Sequence, residues 1–344
     1  MKRFFFIGLL LSLNGLIFGQ NNTSTEESEP SPNSEELKNE FIEKKEEFKH
    51  TSTKGYSDNE RLELDQIDGE LGAQDVNSFE YNLVHYMNGN YDVSRADHLF
   101  KAYSLRPDDA QVQKEMFGYY LLTGDKTNQV KFAKIIEPLY SSVEYKYFEH
   151  LLEDKEKVAV IVSGQDDSFP LYILQLLKNK GEKVLVINLD FMQSEKYRET
   201  ICSALQIENM EFLGNEKKFL SNMVYNQAYP AYISTTVHQN YCAHLADQLY
   251  LSGLYYSADG TKQMENLKAF WVSFQDRGLE KIKFGTHEEK LLYRNYIPPL
   301  LTLYKLKKLE GSTDKVLRQV ILAMSTNLGI KDNVETILNG YDAE

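Results

Sequence analysis

The pattern of hydrophobic and polar positions is clearest between Lys157 and Met192. Val158 to Val162 is an apolar, largely β-branched run that ends in Ser163-Gly164, and Val184 to Leu189 is a second apolar run. Between them, Phe169 to Lys180 has the periodicity of a helix. Two buried strands joined by a helix of this length predict a βαβ unit, in which the two strands are parallel neighbours.

Further elements are predicted after this unit. The alternating, β-branched stretch Ala231 to Val237 predicts a third strand, and Leu254 to Ser257 a short edge strand. Helical periodicity predicts helices over 194–205, 240–251, 264–274, 288–308 with a break at Pro298-Pro299, 314–328 and 332–339. From these elements we expect a Rossmann-like three-layer α/β domain with parallel strands and a C-terminal helical hairpin over 145–330, followed by a tail helix in 331–344.

Residues 77–144 resemble tetratricopeptide repeats. A turn at Gly89-Asn90-Tyr91-Asp92, small and aromatic residues, and a closing Pro107 occur in the order found in the second half of such a repeat. A degenerate second copy, about 34 residues further on, includes Gly118 and Gly124-Asp125. We therefore expect helical hairpins here. Two units are fewer than a stable array normally needs, so a peptide groove does not follow.

Residues 20–76 are rich in Glu, Ser, Asn and Lys and poor in apolar residues, which predicts a largely disordered segment. One helical pattern stands out, opening at Ser34 and placing Leu37, Phe41, Ile42 and Phe48 on roughly one side. It is either a marginal amphipathic helix on a tail or a docking helix for a partner.

The first residues predict export. Lys2 and Arg3 precede the apolar run Phe4 to Phe18, and Gly19-Gln20 is a plausible cleavage point, which indicates a signal peptide over 1–19. The alternative is an uncleaved anchor, although the run is short for a spanning helix of about 20 residues. We expect a periplasmic protein, either free or associated with the outer membrane, without a further transmembrane segment.

Composition excludes some classes of partner. The chain has 344 residues and a formal net charge of −13, which argues against nucleic acid and against docking on anionic lipid. Cys202 and Cys242 are its two cysteines. In an oxidising compartment they either pair or remain buried thiols, and the sequence leaves both alternatives open.

The polar turn Gln165-Asp166-Asp167-Ser168 follows the first predicted strand, at the edge where open α/β sheets bind ligands. Because the turn already carries two acidic residues, a cation or sugar hydroxyls would suit it better than a phosphate. The structural alternative is that Asp167 or Ser168 caps the helix, with Pro170 in its first turn. We therefore take Gln165, Asp166, Asp167 and Ser168 as candidate ligand-binding residues, with no catalytic residue and no cofactor assigned.

His238, Cys242 and His244 are three metal-competent residues close together in the chain. On a helix, His238 and Cys242 would share a face while His244 would point away. No second cluster of such residues accompanies them. We therefore favour the start of an ordinary helix and assign no metal site.

The same region resembles a known family. Gly164 to Gln175, GQDDSFPLYILQ, resembles the motif Gly-Asp-Asn-Asp-Thr-Phe-Pro-Leu-Trp-Tyr-Leu-Gln. That motif opens the soluble C-terminal domain of large multi-spanning bacterial proteins related to protein O-mannosyltransferases. Similar stretches follow in the same order, over roughly 145–330: Asn188-Leu189, Tyr229 to Val237, Leu249 to Tyr256 and Tyr293-Arg294-Asn295.

The resemblance implies an accessory domain rather than an enzyme. Gln165 replaces the first Asp of the motif and Asp166 replaces its Asn, and the membrane region that would hold the family's catalytic acid is missing. We therefore expect a non-catalytic exported interaction or scaffold protein of the bacterial cell envelope, with a protein partner, accessory to protein glycosylation, surface assembly or secretion. The alternative is a carbohydrate-binding or carbohydrate-active domain that uses the Gly164–Ser168 turn.

Overall fold

The computed structural model of the protein describes residues 33–51, 57–153, 157–226 and 229–343. The predicted signal peptide at 1–19 and the first part of the predicted disordered segment, 20–32, lie outside these residues. Of the described residues, 70% are helical and 6% are in strands. None of the helices in this part of the chain combines the length and the apolar composition that crossing a membrane requires.

The helices of the described residues are numbered in chain order. They are α1 (Ser34–Thr51), α2 (Asp58–Asp75), α3 (Phe79–Asn88), α4 (Ala96–Leu105), α5 (Ala110–Thr123), α6 (Lys126–Ile136), α7 (Ser142–Leu152), α8 (Gln165–Lys178), α9 (Glu195–Leu205), α10 (Glu216–Val224), α11 (Gln239–Cys242), α12 (Gln263–Asp276), α13 (His287–Tyr293), α14 (Ile297–Leu309), α15 (Lys315–Asn327) and α16 (Lys331–Ala343). Short 3-10 segments join several of them.

The strands form one small mixed sheet in the order β2-β1-β3-β5-β4. They are β1 (Val158–Val162), β2 (Val184–Asn188), β3 (Ala231–Ser234), β4 (Tyr250–Leu251) and β5 (Tyr255–Ser257). β1 pairs in parallel with both β2 and β3, whereas β5 is antiparallel to β3 and β4. The predicted Rossmann-like three-layer α/β domain is therefore wrong, and the fold is mostly helical.

The error concerns the number of strands, and the βαβ unit itself is present. Val158 lies opposite Val184 and Val162 opposite Asn188 in a parallel register, with α8 as the connection. A doubly wound domain needs strands and helices to keep alternating. After β3, however, the chain adds only a hairpin of two very short strands and then continues as helices. Local periodicity identifies a strand but does not show how many more follow.

The described chain divides into two compact units. The helical unit comprises the described residues up to Ile136, together with Asp190–Lys217 and His238–Ala243. The sheet unit comprises the described residues of Glu137–Leu189, Lys218–Val237 and the part of the chain from His244 onward.

In the helical unit, neighbouring helices pack as the hairpins α1–α2, α3–α4 and α5–α6. The two helical pairs predicted from the repeat pattern correspond to α3–α4 and α5–α6. A returning segment packs on them, because α9 contacts α5 and the Lys196 ammonium donates to the Thr123 carbonyl over 2.9 Å. Phe191 also packs edge-to-face on Tyr91, with ring centroids 4.9 Å apart.

The hairpin α1–α2 differs from the predicted disorder of 20–76. Asn33 and Glu36 cap α1 reciprocally, and Ser57 and Glu60 form a capping box at α2. Three apolar residues of α2 recur at helical spacing, and each is at most 4% exposed: Leu64, Ile67 and Leu71. The low apolar content of the whole segment conceals this spacing, because an amphipathic helix needs only one apolar side.

The sheet unit has an aromatic core centred on Tyr296, which is fully buried. Its ring lies 5.1–6.0 Å, centroid to centroid, from five other rings: Tyr147, His150, Phe270, Phe274 and Tyr293. The Tyr296 hydroxyl is hydrogen-bonded to Nδ1 of His150 at 3.1 Å. This cluster joins α7, which leads toward β1, to α12 and to the chain between α13 and α14.

The C-terminal helices agree with the predicted ones except at the break. The helical pattern of 288–308 is interrupted by the 3-10 segment Arg294–Tyr296 rather than at Pro298-Pro299. Both prolines lie in the first turn of α14, where a residue without an N–H costs no helical hydrogen bond.

Two leucines of α2 test whether this helix is part of the packed structure. Leu64 is 1% exposed and Leu62 is 67% exposed. We expect Leu64→Ala to lower the free energy of unfolding by about 2–5 kcal/mol, because it leaves a cavity. The matched control Leu62→Ala should change it by no more than about 0.5 kcal/mol. Urea unfolding followed by circular dichroism measures both, and equal effects would contradict the packing of α2.

Candidate functional site

The candidate site lies at the carboxyl edge of the parallel strands in the sheet unit. The chain leaves β1 toward β2 on one side, whereas β3 lies on the other side of β1. The ends of β1 and β3 therefore border a topological switch point, the usual ligand position in open sheets with parallel strands. Ser163-Gly164 follows β1, Asn188 ends β2, and Ser234 ends β3.

Gly164 begins α8 without a side-chain cap. Its backbone has φ +84° and ψ 167°, a conformation that residues with a Cβ rarely adopt. The predicted capping by Asp167 or Ser168 is therefore wrong, since both residues lie within the helix. Pro170 lies in the second turn of α8 and not in its first. The glycine lets the chain turn sharply from β1 into the helix.

A buried set of hydrogen bonds holds this turn. The Ser168 hydroxyl donates to the Gly164 carbonyl over 2.8 Å. The Asn188 amide donates to the same carbonyl over 3.2 Å and to the Ser168 hydroxyl over 3.0 Å. Ser168 and Asn188 are both fully buried. Ser168, a predicted ligand residue, thus has a structural role, because it ties the start of α8 to the end of β2.

The other predicted residues lie closer to solvent. Asp166 is exposed, and Gln165 and Asp167 are half-buried. Two phenols are near the carboxylates. Burial raises the pKa of Tyr140 well above its usual range, and the charges of Asp166 and Asp167 add to the effect.

Tyr147 lies near the same turn and near β3. Its hydroxyl is 3.4 Å from the Thr235 hydroxyl. Burial raises the pKa of Tyr147, the hydrogen bond with Thr235 opposes the shift, and the Asp167 charge adds to it. The phenol therefore stays protonated at neutral pH, able to donate a hydrogen bond.

The arrangement combines acidic acceptors with hydroxyl groups. Beside Asp166 and Asp167 it has the phenols of Tyr140 and Tyr147, and the strand β3 is followed by hydroxyl-bearing residues. Both phenols are buried, so the groups that a polyol or a cation could reach are the two carboxylates and the half-buried residues Thr235 and Thr236. The two tyrosines could not be inferred from the sequence, because they precede β1 and no local pattern relates them to the turn. The run Ser234-Thr235-Thr236 was a usable signal, since it ends a predicted strand.

The histidine–cysteine cluster has ordinary structural roles. His238 caps α11, with its Nδ1 accepting from the Asn240 N–H over 3.4 Å, and His244 Nε2 is 3.3 Å from the Ser221 hydroxyl. Burial raises the pKa of the Cys242 thiol to about 11. Both cysteines, Cys202 and Cys242, are free thiols. Among the residues that the structure describes, no group of three or more His, Cys, Asp or Glu could hold a metal ion.

Comparisons with known proteins add no relative. No protein-family model, curated protein or solved structure matches the chain.

The backbone at Gly164 gives a test of how the turn is held. We expect Gly164→Ala to destabilise the protein by about 1–3 kcal/mol, because alanine is strained at this φ. The control is Gly340→Ala in α16, where a Cβ meets nothing within 4 Å and the helical backbone suits alanine. That control should be stabilising by up to about 1 kcal/mol. Thermal unfolding measures the stability of both variants. A Gly164→Ala variant as stable as the unmodified protein would contradict the strained turn.

Proposed function

We propose that this protein is a non-catalytic interaction protein of the bacterial cell envelope, exported and acting as a scaffold. In this proposal the helical unit binds an extended, apolar segment of a protein partner. The charged and apolar residues at the start of the chain support export. The resemblance of 145–330 to the soluble domain of O-mannosyltransferase-like proteins supports a role accessory to protein glycosylation, surface assembly or secretion.

The observation that carries the proposal is an aromatic face on α4 and α5, formed by Phe100, Tyr103, Tyr119 and Tyr120. Ring contacts connect these residues through the buried Phe132 of α6: Phe100 to Tyr119 at 5.2 Å, Tyr119 to Tyr120 at 5.3 Å, Tyr120 to Phe132 at 5.3 Å and Tyr103 to Phe132 at 5.5 Å. Phe100 is 39% exposed, and the three tyrosines are half-buried. Large aromatic side chains of this kind are enriched where proteins bind one another.

The tyrosines of the aromatic face also retain hydrogen-bonding capacity. Within the described residues, the hydroxyls of Tyr103, Tyr119 and Tyr120 make no hydrogen bond. The backbone carbonyls of a partner could therefore accept hydrogen bonds from these hydroxyls while its side chains pack on the rings. Such a combination suits an extended peptide segment more than a flat polar surface.

The local charge indicates which kind of segment fits. The whole chain has a net charge of −13, but Ala96 to Ile136 has six basic and five acidic residues. A nearly balanced surface gives little attraction to a strongly charged partner. We therefore propose an apolar or proline-containing segment as the occupant of the aromatic face.

A photo-crosslinking amino acid in place of Phe100 tests the proposal. In intact cell envelopes we expect it to capture one reproducible protein, identified by mass spectrometry, with the crosslink mapped to an apolar segment. The Tyr119→Asp variant, without the crosslinking amino acid, should lose this partner in affinity purification, because burying the new charge in the contact is unfavourable.

The matched control carries Val272→Asp in the sheet unit, where Val272 is 55% exposed, and should keep the partner. Circular dichroism checks that both variants are folded. Capture that is independent of Tyr119, or no capture at Phe100, would contradict the proposed docking face.

We infer a second candidate function, carbohydrate binding at the Gly164–Ser168 turn. It is favoured by one observation at the switch point: the Tyr147 hydroxyl lies 3.4 Å from the Thr235 hydroxyl, and the Asp167 charge acts on the same phenol. Carboxylates and neutral hydroxyls are the groups that sugar hydroxyls bind. Ser168 is not part of this second proposal, because its hydroxyl is already used internally.

Replacing both carboxylates tests the second candidate. We expect the variant with Asp166→Asn and Asp167→Asn to lose binding of a neutral oligosaccharide by at least about tenfold, if each lost charged hydrogen bond contributes about 1.5–3 kcal/mol. Isothermal titration with a panel of neutral oligosaccharides measures this. Asp276→Asn, at an exposed site in α12, is the control. If no oligosaccharide binds the unmodified protein, or if both variants bind equally, the turn is not a sugar site.

A further inference from the structure

Two histidines face one another in the helical unit, His85 on α3 and His98 on α4. Their ring centroids are 4.4 Å apart, and the ring of Tyr81 packs against both, at 5.2 Å from His85 and 5.8 Å from His98. Both histidines are half-buried. Two imidazole rings, each able to take up a proton, are thus held within one aromatic cluster.

Hydrogen bonds fix one ring nitrogen of each histidine as a donor. His85 Nδ1 lies 2.9 Å and 3.2 Å from the two carboxylate oxygens of Asp68, which can only accept. His98 Nδ1 lies 2.9 Å from Oδ1 of Asn82. The amide nitrogen of Asn82 donates to the carbonyls of Val76 and Ser78, so its oxygen must be the acceptor. In both histidines Nδ1 therefore carries a hydrogen, and a further proton enters at Nε2.

The surrounding charges treat the two rings differently. The Asp68 carboxylate, on a residue that is 8% exposed, directly contacts His85 and compensates its positive charge. His98 contacts the neutral amide of Asn82 instead. The charges of His85, Lys101 and Arg95 disfavour its protonated form, and the charge of Asp68 on α2 favours it. Protonation of His98 would thus place a positive charge where the unfavourable effects of burial, His85 and Lys101 each exceed the favourable effect of Asp68.

We propose that the His85–His98 pair, held by Asp68 and Asn82, makes the junction of α2, α3 and α4 acid-sensitive, so that the helical unit loosens when its surroundings acidify. Asn82 is fully buried and holds the segment that joins α2 to α3, through Val76 and Ser78. Repulsion at His98 therefore acts on the contact that packs α4 against that segment. An exported protein would experience such changes in pH directly.

The direction in which stability changes with pH follows from the pKa of His98. Burial lowers the pKa of His98 below its ordinary value of 6.5, and the charges of His85 and Lys101 lower it further. Between the lowered value and 6.5 the unfolded chain binds a proton that the folded chain does not. The contribution of neutral His98 to the free energy of unfolding is complete above about pH 6.5. It is lost as the pH falls from there toward the lowered pKa of His98.

Hydrogen–deuterium exchange of the full chain tests the proposal, with rates corrected for the intrinsic effect of pH. Between about pH 7.5 and about pH 5.5 we expect peptides from 58–105 to open more often, by up to about tenfold per pH unit, the slope for one proton. His98→Asn should remove most of this increase, because asparagine keeps a donor near Nδ1 but does not titrate. His287→Asn, at an exposed histidine of α13, should retain it.

Two results would overturn the proposal: no pH-dependent opening of 58–105 in the unmodified chain, or the same opening in His98→Asn. If His98→Asn does not fold at neutral pH, an NMR titration of the unmodified protein decides instead. It should give a midpoint for His98 below 6.5, measured from the imidazole carbon shifts. A midpoint at or above 6.5 would exclude the acid-sensitive junction.

Discussion

The sheet unit depends on the burial of Tyr296. An aromatic ring of this size removes a large apolar area from water, and each well-oriented aromatic pair adds about 0.5–1.5 kcal/mol. Its hydroxyl would be costly inside the core without a partner, and His150 supplies one. Because α7 carries both His150 and Tyr147 and is followed by β1, the cluster also sets where the first strand begins. The short strands of this sheet therefore rely on helices for their position.

Some of this fold was predictable because its signals are local. The β-branched runs at Val158–Val162 and Val184–Asn188 lie within a few residues of the helix that joins them, and pattern alone identified all three. The number of strands in the sheet is not a local property. Whether the chain after Ser234 adds parallel strands or turns back as a hairpin depends on packing against distant helices, so the layered architecture could not be inferred.

The predicted disorder of the acidic segment shows a different limit. The apolar residues of α2 are few, and most of its other positions are charged or polar. Composition averages over both sides of a helix, whereas packing depends on one. The buried side consists of Leu64, Ile67 and Leu71 together with Asp68, so spacing was informative where average hydrophobicity was not.

The sequence places the candidate turn at the end of the first strand but does not show what its residues contact. A polar turn after a buried strand correctly marked the edge of the sheet. The contacts of its residues, however, are with partners far away in the chain. Ser168 bonds with Asn188, and the Asp167 charge acts on Tyr147. For the same reason the paired histidines were overlooked, since His85 and His98 become neighbours only when two helices form a hairpin.

The alternation of the chain between the two units has a consequence for how this protein could be divided or acquired. The helical unit takes in Asp190–Lys217 and His238–Ala243, which lie between parts of the sheet unit. A single cut after Ile136 would keep every segment of the sheet unit in one fragment but would separate the helical unit from two of its segments, and neither unit is one uninterrupted stretch of the chain. Shuffling one of them into another protein would require several junctions at once.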